Sequence, residues 1–512
     1  NSMSSASNGN NSLLSFLVGK NVSLKNNILT LNGHGSLMQL NSLENSIDYN
    51  NYYTSSDTFM IVNGTLYNNF KQYTSAIKQD LHSLNFKPNF VSATDLHLNN
   101  DLNLDNRGIP INGITTDMDG EIRNKIVPDM GADEFKALHQ PNDAAAVSIY
   151  TDSNCDGSLA TMYAKLYNNG TNTLNNVTIK YSINTVAQPD YNWSGALLPD
   201  SATLIVLGGF KNNVFDPKSF IATTWNPNGV TDSNFANDSC FGISNKILLN
   251  GVYEIGTNSV FPTISSAFKI LKENGICGSV LFKIENGSYD EKLKLDPVNG
   301  ASEINTVTFT SKSRNYNDVT INNQTDTTLR LLGPDNVKFN NLTFRTGSSK
   351  GLMRVENGCD NIKFDSVHFI NGTIYSESNI FNKNNIFSNC IFESHFHYSR
   401  SPKLDTTRYS LKINNCIFFN SLFEVSMLDT VTIANNRFFV EKDKFYPGSD
   451  VIAIYVTAIG GKTTISKNYV EGFYKHGIVT SDYHSTKPGT VTIENNSICG
   501  TTAMLKALNC NG

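Results

Sequence analysis
One short phrase recurs along the second half of the chain, and it restricts the fold more than any other feature. It reads apolar-x-apolar-x-polar-x-x-apolar. Copies begin at Val337, Ile362, Asn385, Leu411, Val431, Thr463 and Val491, and an eighth begins at Val22. The third position holds Phe339, Phe364, Phe387, Ile413, Ile433, Ile465, Ile493 and Leu24, and the eighth holds Phe344, Phe369, Phe392, Phe418, Phe438, Val470, Ile498 and Leu29. A repeat of between 20 and 32 residues, made of short β-rich rungs with a variable remainder, marks a solenoid. Alternating apolar residues form a strand with one face inward, and the polar pair that follows bends the chain. The alternative, an antiparallel sandwich with Asn-rich turns, does not explain the columns; stacking does, since rungs about 4.8 Å apart place like residues on like.

The fifth position is Asn26, Asn341, Asn389, Asn415, Asn435 and Asn495, with Ser366 and Lys467 in two rungs. Asparagine tolerates the left-handed backbone of a bend. These residues are therefore expected to turn the corner and to hydrogen-bond along the axis as an asparagine ladder. The expected fold class is all-β: right-handed parallel β-helix segments flanking an immunoglobulin-like β-sandwich.

Three regions follow. Residues 1–135 read as the C-terminal rungs and closing segment of a β-helix, with Phe70, Tyr73, Ile77 and Leu81 at helical spacing. Residues 136–249 show short alternating strands between Asn/Gly turns, the pattern of a sandwich. There Trp193 is expected in or beside the core. Residues 250–512 read as an N-terminal cap followed by rungs. Ile264, Ala267, Phe268 and Leu271 lie on one helical face, with Thr263 as N-cap and Gly275 as stop.

The run from Pro88–Phe90 through Asp95–Leu98, Gly113–Gly120 and Asp129–Phe135 resembles the closing segment of secreted, pectin-lyase-like parallel β-helix surface proteins of Bacteroidota. Its DxDGxxR…PDxGAxE phrase covers about fifty residues and specifies no activity. The segments after Asn176 resemble adhesion-type sandwich modules of the same proteins. The resemblance implies an extracellular, cell-surface chain exported by the type IX route.

Charge narrows the functions. Charged residues make up 17% and the net charge is −5, which disfavours a nucleic-acid partner. No apolar run reaches the length of a membrane span. The order of a helix end, a sandwich and then a helix beginning suggests tandem copies or end-to-end self-association.

Chemistry is sparse. A polysaccharide lyase needs a base near cation ligands, and candidates gather in two insertions. The first holds His395, His397, Tyr398 and Arg400; the second holds Lys475, His476, Tyr483 and His484. Their rungs lie three steps apart, about 14 Å, too far for direct cooperation. Solvated loop side chains account for them equally simply. Asp152, Asn154 and Asp156 match the first half of a calcium loop, but Tyr163 stands where the bidentate Glu belongs. Asp117-Met-Asp119-Gly120 and the set Asp232, Asn234 and Asp238 are further acidic clusters, all explicable as turns. No cofactor is required, and a structural Ca²⁺ is the one ion expected. Cys155 and Cys240 bracket the sandwich and are candidates to staple it, while Cys390 and Cys416 share a column in adjacent rungs and either bridge or stay as buried thiols. The leading reading is a non-catalytic structural or adhesive module of a large bacterial surface or filament-forming protein. The competing one is a β-helix that binds or cleaves a polysaccharide, with a glycan or another surface ligand as partner.

Overall fold
The structure, a computed structural model, describes residues 1–7, 12–16, 22–41, 46–77, 79–232, 234–244, 246–347, 351–378, 382–400, 410–426, 428–441, 452–457, 461–472, 476–481, 489–499 and 503–508. Two compact units divide it, Asn1–Ile247 and Leu248–Gly512. Strands account for almost all regular structure, with short α-helices at Phe70–Ile77 and Ile264–Asn274.

The second unit is a parallel β-solenoid. Its first sheet stacks ten strands, from Leu249–Ile255 and Ile276–Ile284 to Thr490–Glu494, every neighbour parallel. A second sheet carries the strands beyond the bend. Register follows the columns read from the sequence: Phe339 pairs Phe364, Phe364 pairs Phe387, and Phe387 pairs Ile413. The column begins three rungs earlier than the phrase, with Tyr253, Phe282 and Phe309. Rings stack along it at 4.8, 5.5, 5.2 and 4.9 Å between centroids, from Phe282 to Phe387. A second stack links Phe369, Phe392, Phe418 and Phe438 at 5.0, 4.5 and 4.6 Å. Each such ring contributes about 1.5–3 kcal/mol by leaving water, and offset stacking adds to that.

Bends confirm half of the expectation for the fifth position. Asn341, Ser366, Asn389, Asn415, Asn435, Lys467 and Asn495 all have φ between 53° and 57°, the left-handed corner. The hydrogen-bonded ladder, however, runs one residue later. Asn436 Nδ2 donates to Asn468 Oδ1 at 3.0 Å, and Asn468 Nδ2 donates to Asn496 Oδ1 at 2.9 Å. In the first unit Asn27 Nδ2 donates to Asn50 Oδ1 at 2.8 Å, while Asn26 at the corner reaches the Ile109 carbonyl instead. The physical reason is the corner itself: a left-handed residue throws its own side chain outward and turns the next one in. Asn389, for example, is exposed and donates to Asp365 Oδ1.

That inward sixth position also holds Leu342, Val367, Cys390 and Cys416, all buried. Both cysteines are free thiols, so no bridge joins them. Each thiol instead points at a carbonyl of the preceding rung, Phe364 O and Phe387 O, at 3.6 Å. Cys240 is likewise free and buried, which rules out a Cys155–Cys240 staple; Cys155 is itself disulfide-bonded.

The solenoid's helix is capped as read. Thr263 Oγ1 accepts Ser266 N–H at 3.1 Å, Gly275 stops the helix at φ 77°, and Ile264, Ala267, Phe268 and Leu271 are buried. Glu291 also accepts the Ile264 and Ser265 N–H groups at 3.0 and 2.8 Å, placing a carboxylate where the helix end is most positive.

The first unit opens with short parallel strands (Ser2–Ser7, Ile28–Gly33, Asn51–Thr54; Ser12–Phe16, Ser36–Leu40, Met60–Val62) around Leu29, Leu31, Met38, Tyr52, Phe59 and Met60. The helix Phe70–Ile77 stops before Leu81, and Tyr73 is its buried residue. Residues 79–135 then run almost without strands, and the closing phrase supplies what a sheet would otherwise provide. Asp117 Oδ1 accepts Asp119 and Glu121 N–H, Asp117 Oδ2 accepts Glu134 N–H, and Asp129 accepts Asn106 and Phe135 N–H. Arg123 donates to Asp129 O, Gly131 O and Glu134 Oε2. The recurring acids and arginine thus bind main chain that has no ladder.

Residues 144–243 form two antiparallel sheets. One joins Ala144–Thr151, Leu159–Asn168 and Ser201–Lys211; the other centres on Leu174–Ile183 and Ser219–Trp225, with Ser239–Ile243 at its edge. Ile149, Met162, Leu166, Val177, Ile179, Ile205 and Phe220 fill the space between, and Trp193 packs partly buried against them.

Candidate functional site
Side chains on the solenoid's outer surface repeat with the rungs, so register assembles any site there. In the second sheet, Arg330, Arg354, Tyr375, His397, Glu424 and Tyr455 occupy one outward column on successive rungs. Arg330 pairs with Glu356 through two bonds of 3.0 and 2.8 Å. The Arg354 guanidinium lies 5.9 Å from the Tyr375 ring centre, and His397 Nδ1 lies 3.1 Å from Glu424 Oε2. His397 therefore has the orienting carboxylate of a general base.

The other proposed residues do not join it. His395 is exposed, accepts Leu422 N–H at 3.2 Å, and is held below the usual histidine pKa by desolvation of its ring. Tyr398 faces inward, where Asn385 Nδ2 donates to its hydroxyl at 2.8 Å and burial raises its pKa. His476 begins the strand His476–Ser481, three rungs beyond His397 in the same sheet. Lys475, Tyr483, His484 and the side chain of Arg400 lie outside the described residues.

The first sheet shows a feature that sequence reading missed. The phrase's second position points outward, and register aligns Thr308, Lys338, Lys363, Ile386, Lys412 and Thr432 in one row. Beside it runs a polar row of Asn336, Asn361, Asn384 and Ser410, in which Asn361 Nδ2 donates to Asn336 Oδ1 at 3.0 Å and Ser410 Oγ to Asn384 Oδ1 at 3.2 Å. Apart from Thr308, these residues line a groove of about 460 Å³ that also includes Glu303 and Thr430. Among the described residues, Lys338, Lys363 and Lys412 have no carboxylate partner, whereas Lys272, Lys292, Lys312 and Lys383 each pair with an acid. The signal was available in the second position, which the inward columns overshadow.

Acidic clusters lie in the first unit. Asp152 Oδ1 accepts Thr161 N–H at 2.7 Å, which holds its carboxyl below the usual range, and Asp156 Oδ1 accepts Val214 N–H at 3.0 Å. These two acids therefore serve different backbone donors. His97 Nε2 meets Asp119 Oδ2 at 2.8 Å and its Nδ1 meets Asp95; hydrogen bonds to both carboxylates raise the imidazole to about 9. With the buried Asp133 nearby, His97 and Asp119 form the grouping of metal-capable donors found among the described residues. Asp238 is pushed up to about 7 by burial and by the neighbouring Asp232 and Asp143 carboxyls.

No protein-family model matches the chain. No curated protein matches it. Among solved structures, the CARDB domain of a Pyrococcus furiosus protein in complex with di-metal ions is 18% identical, with a TM-score of 0.18, covering 21% of this chain and 92% of its own. The catalytic domain of a GH87 alpha-1,3-glucanase in complex with tetrasaccharides is 9% identical, with a TM-score of 0.22, covering 72% and 96%. The same type of domain in complex with nigerose is 8% identical, with a TM-score of 0.20 and the same coverages. At scores this low the likenesses carry no argument about function. Among the described residues, no helix is long and apolar enough to cross a membrane.

Proposed function
We propose that the chain is a stiff, non-catalytic adhesive module of a secreted bacterial surface protein, and that its solenoid holds an extended acidic glycan along the axis. One observation carries the glycan reading: the unpaired row of Lys338, Lys363 and Lys412 in a polar groove. Lys338 and Lys363 are one rung apart and Lys412 two rungs further, so cations recur at multiples of about 4.8 Å along a straight face. A polyuronate carries one carboxylate per sugar ring at a comparable repeat. The groove lacks the aromatic platforms on which single-stranded nucleic acid stacks. On the face of the Arg330–Glu424 column, Arg330 is already engaged by Glu356 and His397 by Glu424, which leaves that face less suited to a polyanion. Secretion by Bacteroidota, an immunoglobulin-like character for the sandwich, and end-to-end association of copies belong to the same proposal. They rest on the closing phrase and on the order of regions.

The test is binding of the full chain to polygalacturonate and alginate by calorimetry at two ionic strengths. Wild type should bind more weakly at high salt, because exposed charges are screened over about 8–10 Å near physiological ionic strength. Lys338→Gln, Lys363→Gln and Lys412→Gln together should weaken binding at least tenfold. No binding, or binding indifferent to the triple change, overturns the reading. The pairing of His397 with Glu424 favours one second reading, a polysaccharide lyase. It predicts release of unsaturated ends that His397→Ala abolishes, and intact polymer after prolonged incubation would reject it.

A further inference from the structure
The connection between the strands Ser219–Trp225 and Ser239–Ile243 folds back on the start of Ala144–Thr151. It brings Asp232, Asn234, Asn237 and Asp238 against Asp143, all five 6% exposed or less. Most of their polar atoms are matched. Asp143 accepts amide hydrogens from Asn169, Asn234 and Asn237 at 3.0, 3.0 and 2.8 Å. Asp232 accepts Ala144 N–H and Asn234 N–H, both at 2.9 Å.

Two atoms break the pattern. Asp238 Oδ1 and Asn237 Oδ1 are buried with no hydrogen-bond partner. Because Asn237 turns its amide nitrogen to Asp143, its carbonyl oxygen faces the other way. Asp238 has the Asp232 and Asp143 carboxyls as charged neighbours, both of its own sign. Neither Asp143 nor Asp238 forms an ion pair among the described residues. Buried carboxylates are tolerated when paired or when they coordinate a metal, and a buried orphan oxygen calls for a partner.

We propose that Asp232, Asp238 and the Asn237 amide oxygen hold a calcium ion that ties this loop to the edge of the sandwich. The donor set is all oxygen, carboxylate and carbonyl, which suits a hard cation. Calcium accepts about six to eight oxygens in irregular geometry, so water can complete the shell. The ion would supply positive charge beside the Asp238 carboxyl, which has acids of its own sign around it. It would also fix a connection with little secondary structure of its own.

The full chain, stripped with EGTA, should take up Ca²⁺ in calorimetry, and its melting temperature should rise. Asp238→Asn and Asp232→Asn should each weaken uptake at least a hundredfold and lose the Ca²⁺-dependent rise. Asp152→Asn, at a separate acidic loop, should leave both unchanged. If Asp238 is simply a neutral acid, wild type takes up no ion at millimolar Ca²⁺, and the proposal fails. Loss of uptake in Asp152→Asn, with retention in Asp238→Asn, overturns it as well. Should either loop variant fold poorly, limited proteolysis of wild type decides. Ca²⁺ should slow cleavage within residues 230–239, and equal cleavage with and without Ca²⁺ refutes the site.

Discussion

Replacing Asn468 by alanine probes the solenoid at its most connected buried side chain. Asn468 Oδ1 accepts both Asn436 N–H and Asn436 Nδ2 at 3.0 Å. Its Nδ2 donates to Ile433 O and to Asn496 Oδ1, each at 2.9 Å. The change removes four bonds, and at about 1 kcal/mol net for each the loss is about 4 kcal/mol. Asn435→Ala one rung back is the control. That side chain is exposed, so the cost is mainly that of holding alanine at φ 57°, about 1 kcal/mol. The assay uses the placement of the two tryptophans, Trp193 and Trp225, both in the first unit. Their fluorescence follows that unit in urea, while far-UV circular dichroism follows both. Asn468→Ala should lower the midpoint of the dichroism transition and leave the tryptophan transition in place. Equal costs for the two variants, or a larger one for Asn435→Ala, would refute the assignment of the ladder to the sixth position.

Two further outcomes follow from burial. Native chain treated with iodoacetamide should be modified at the exposed Cys499 and spared at Cys240, Cys359, Cys390 and Cys416. Burial raises the Cys240 and Cys359 thiols to about 12 and also raises Cys390 well above the usual thiol range, so mass spectrometry should find their adducts only after unfolding. Asp80 is raised from 3.8 to about 6, mainly by burial, despite hydrogen bonds from Ser83, Tyr52 and Tyr73. A carboxyl raised on folding favours the folded state below its unfolded pKa, and that contribution fades as pH climbs through 3.8 to 6. Its share is about 3 kcal/mol. Asp80→Asn should therefore flatten the fall in first-unit stability between pH 4 and 7, read by tryptophan fluorescence; an unchanged slope would show that Asp80 titrates normally.

The inward columns were legible because apolar side chains repeat where only apolar side chains fit. The ladder was misplaced by one residue because half of the eight rungs carry two polar residues at the corner, as in Asn435-Asn436 and Asn495-Asn496, and composition does not say which one turns in. One rung did hold the clue. In Lys467-Asn468 the lysine must take the exposed corner, leaving the asparagine to the interior. The lysine groove escaped notice for a different reason: its residues are far apart in sequence, and register alone brings them together. The acids of the closing phrase read as candidate metal ligands, yet Asp117 is occupied by the backbone of a coil. The buried loop at Asp238 looked like an ordinary turn, since sequence shows neither burial nor an orphaned oxygen.

The corner that turns each rung has a consequence for how such a surface can change. Because a left-handed residue fixes which neighbour points in, every second-position side chain is independent of the core behind it. Ile386, flanked by Lys363 and Lys412, sits on the outside of a strand whose inner residue is Phe387. A single substitution there would make four lysines continuous without moving an interior atom. The outer face of such a chain can therefore be edited one rung at a time, while its stability is inherited unchanged.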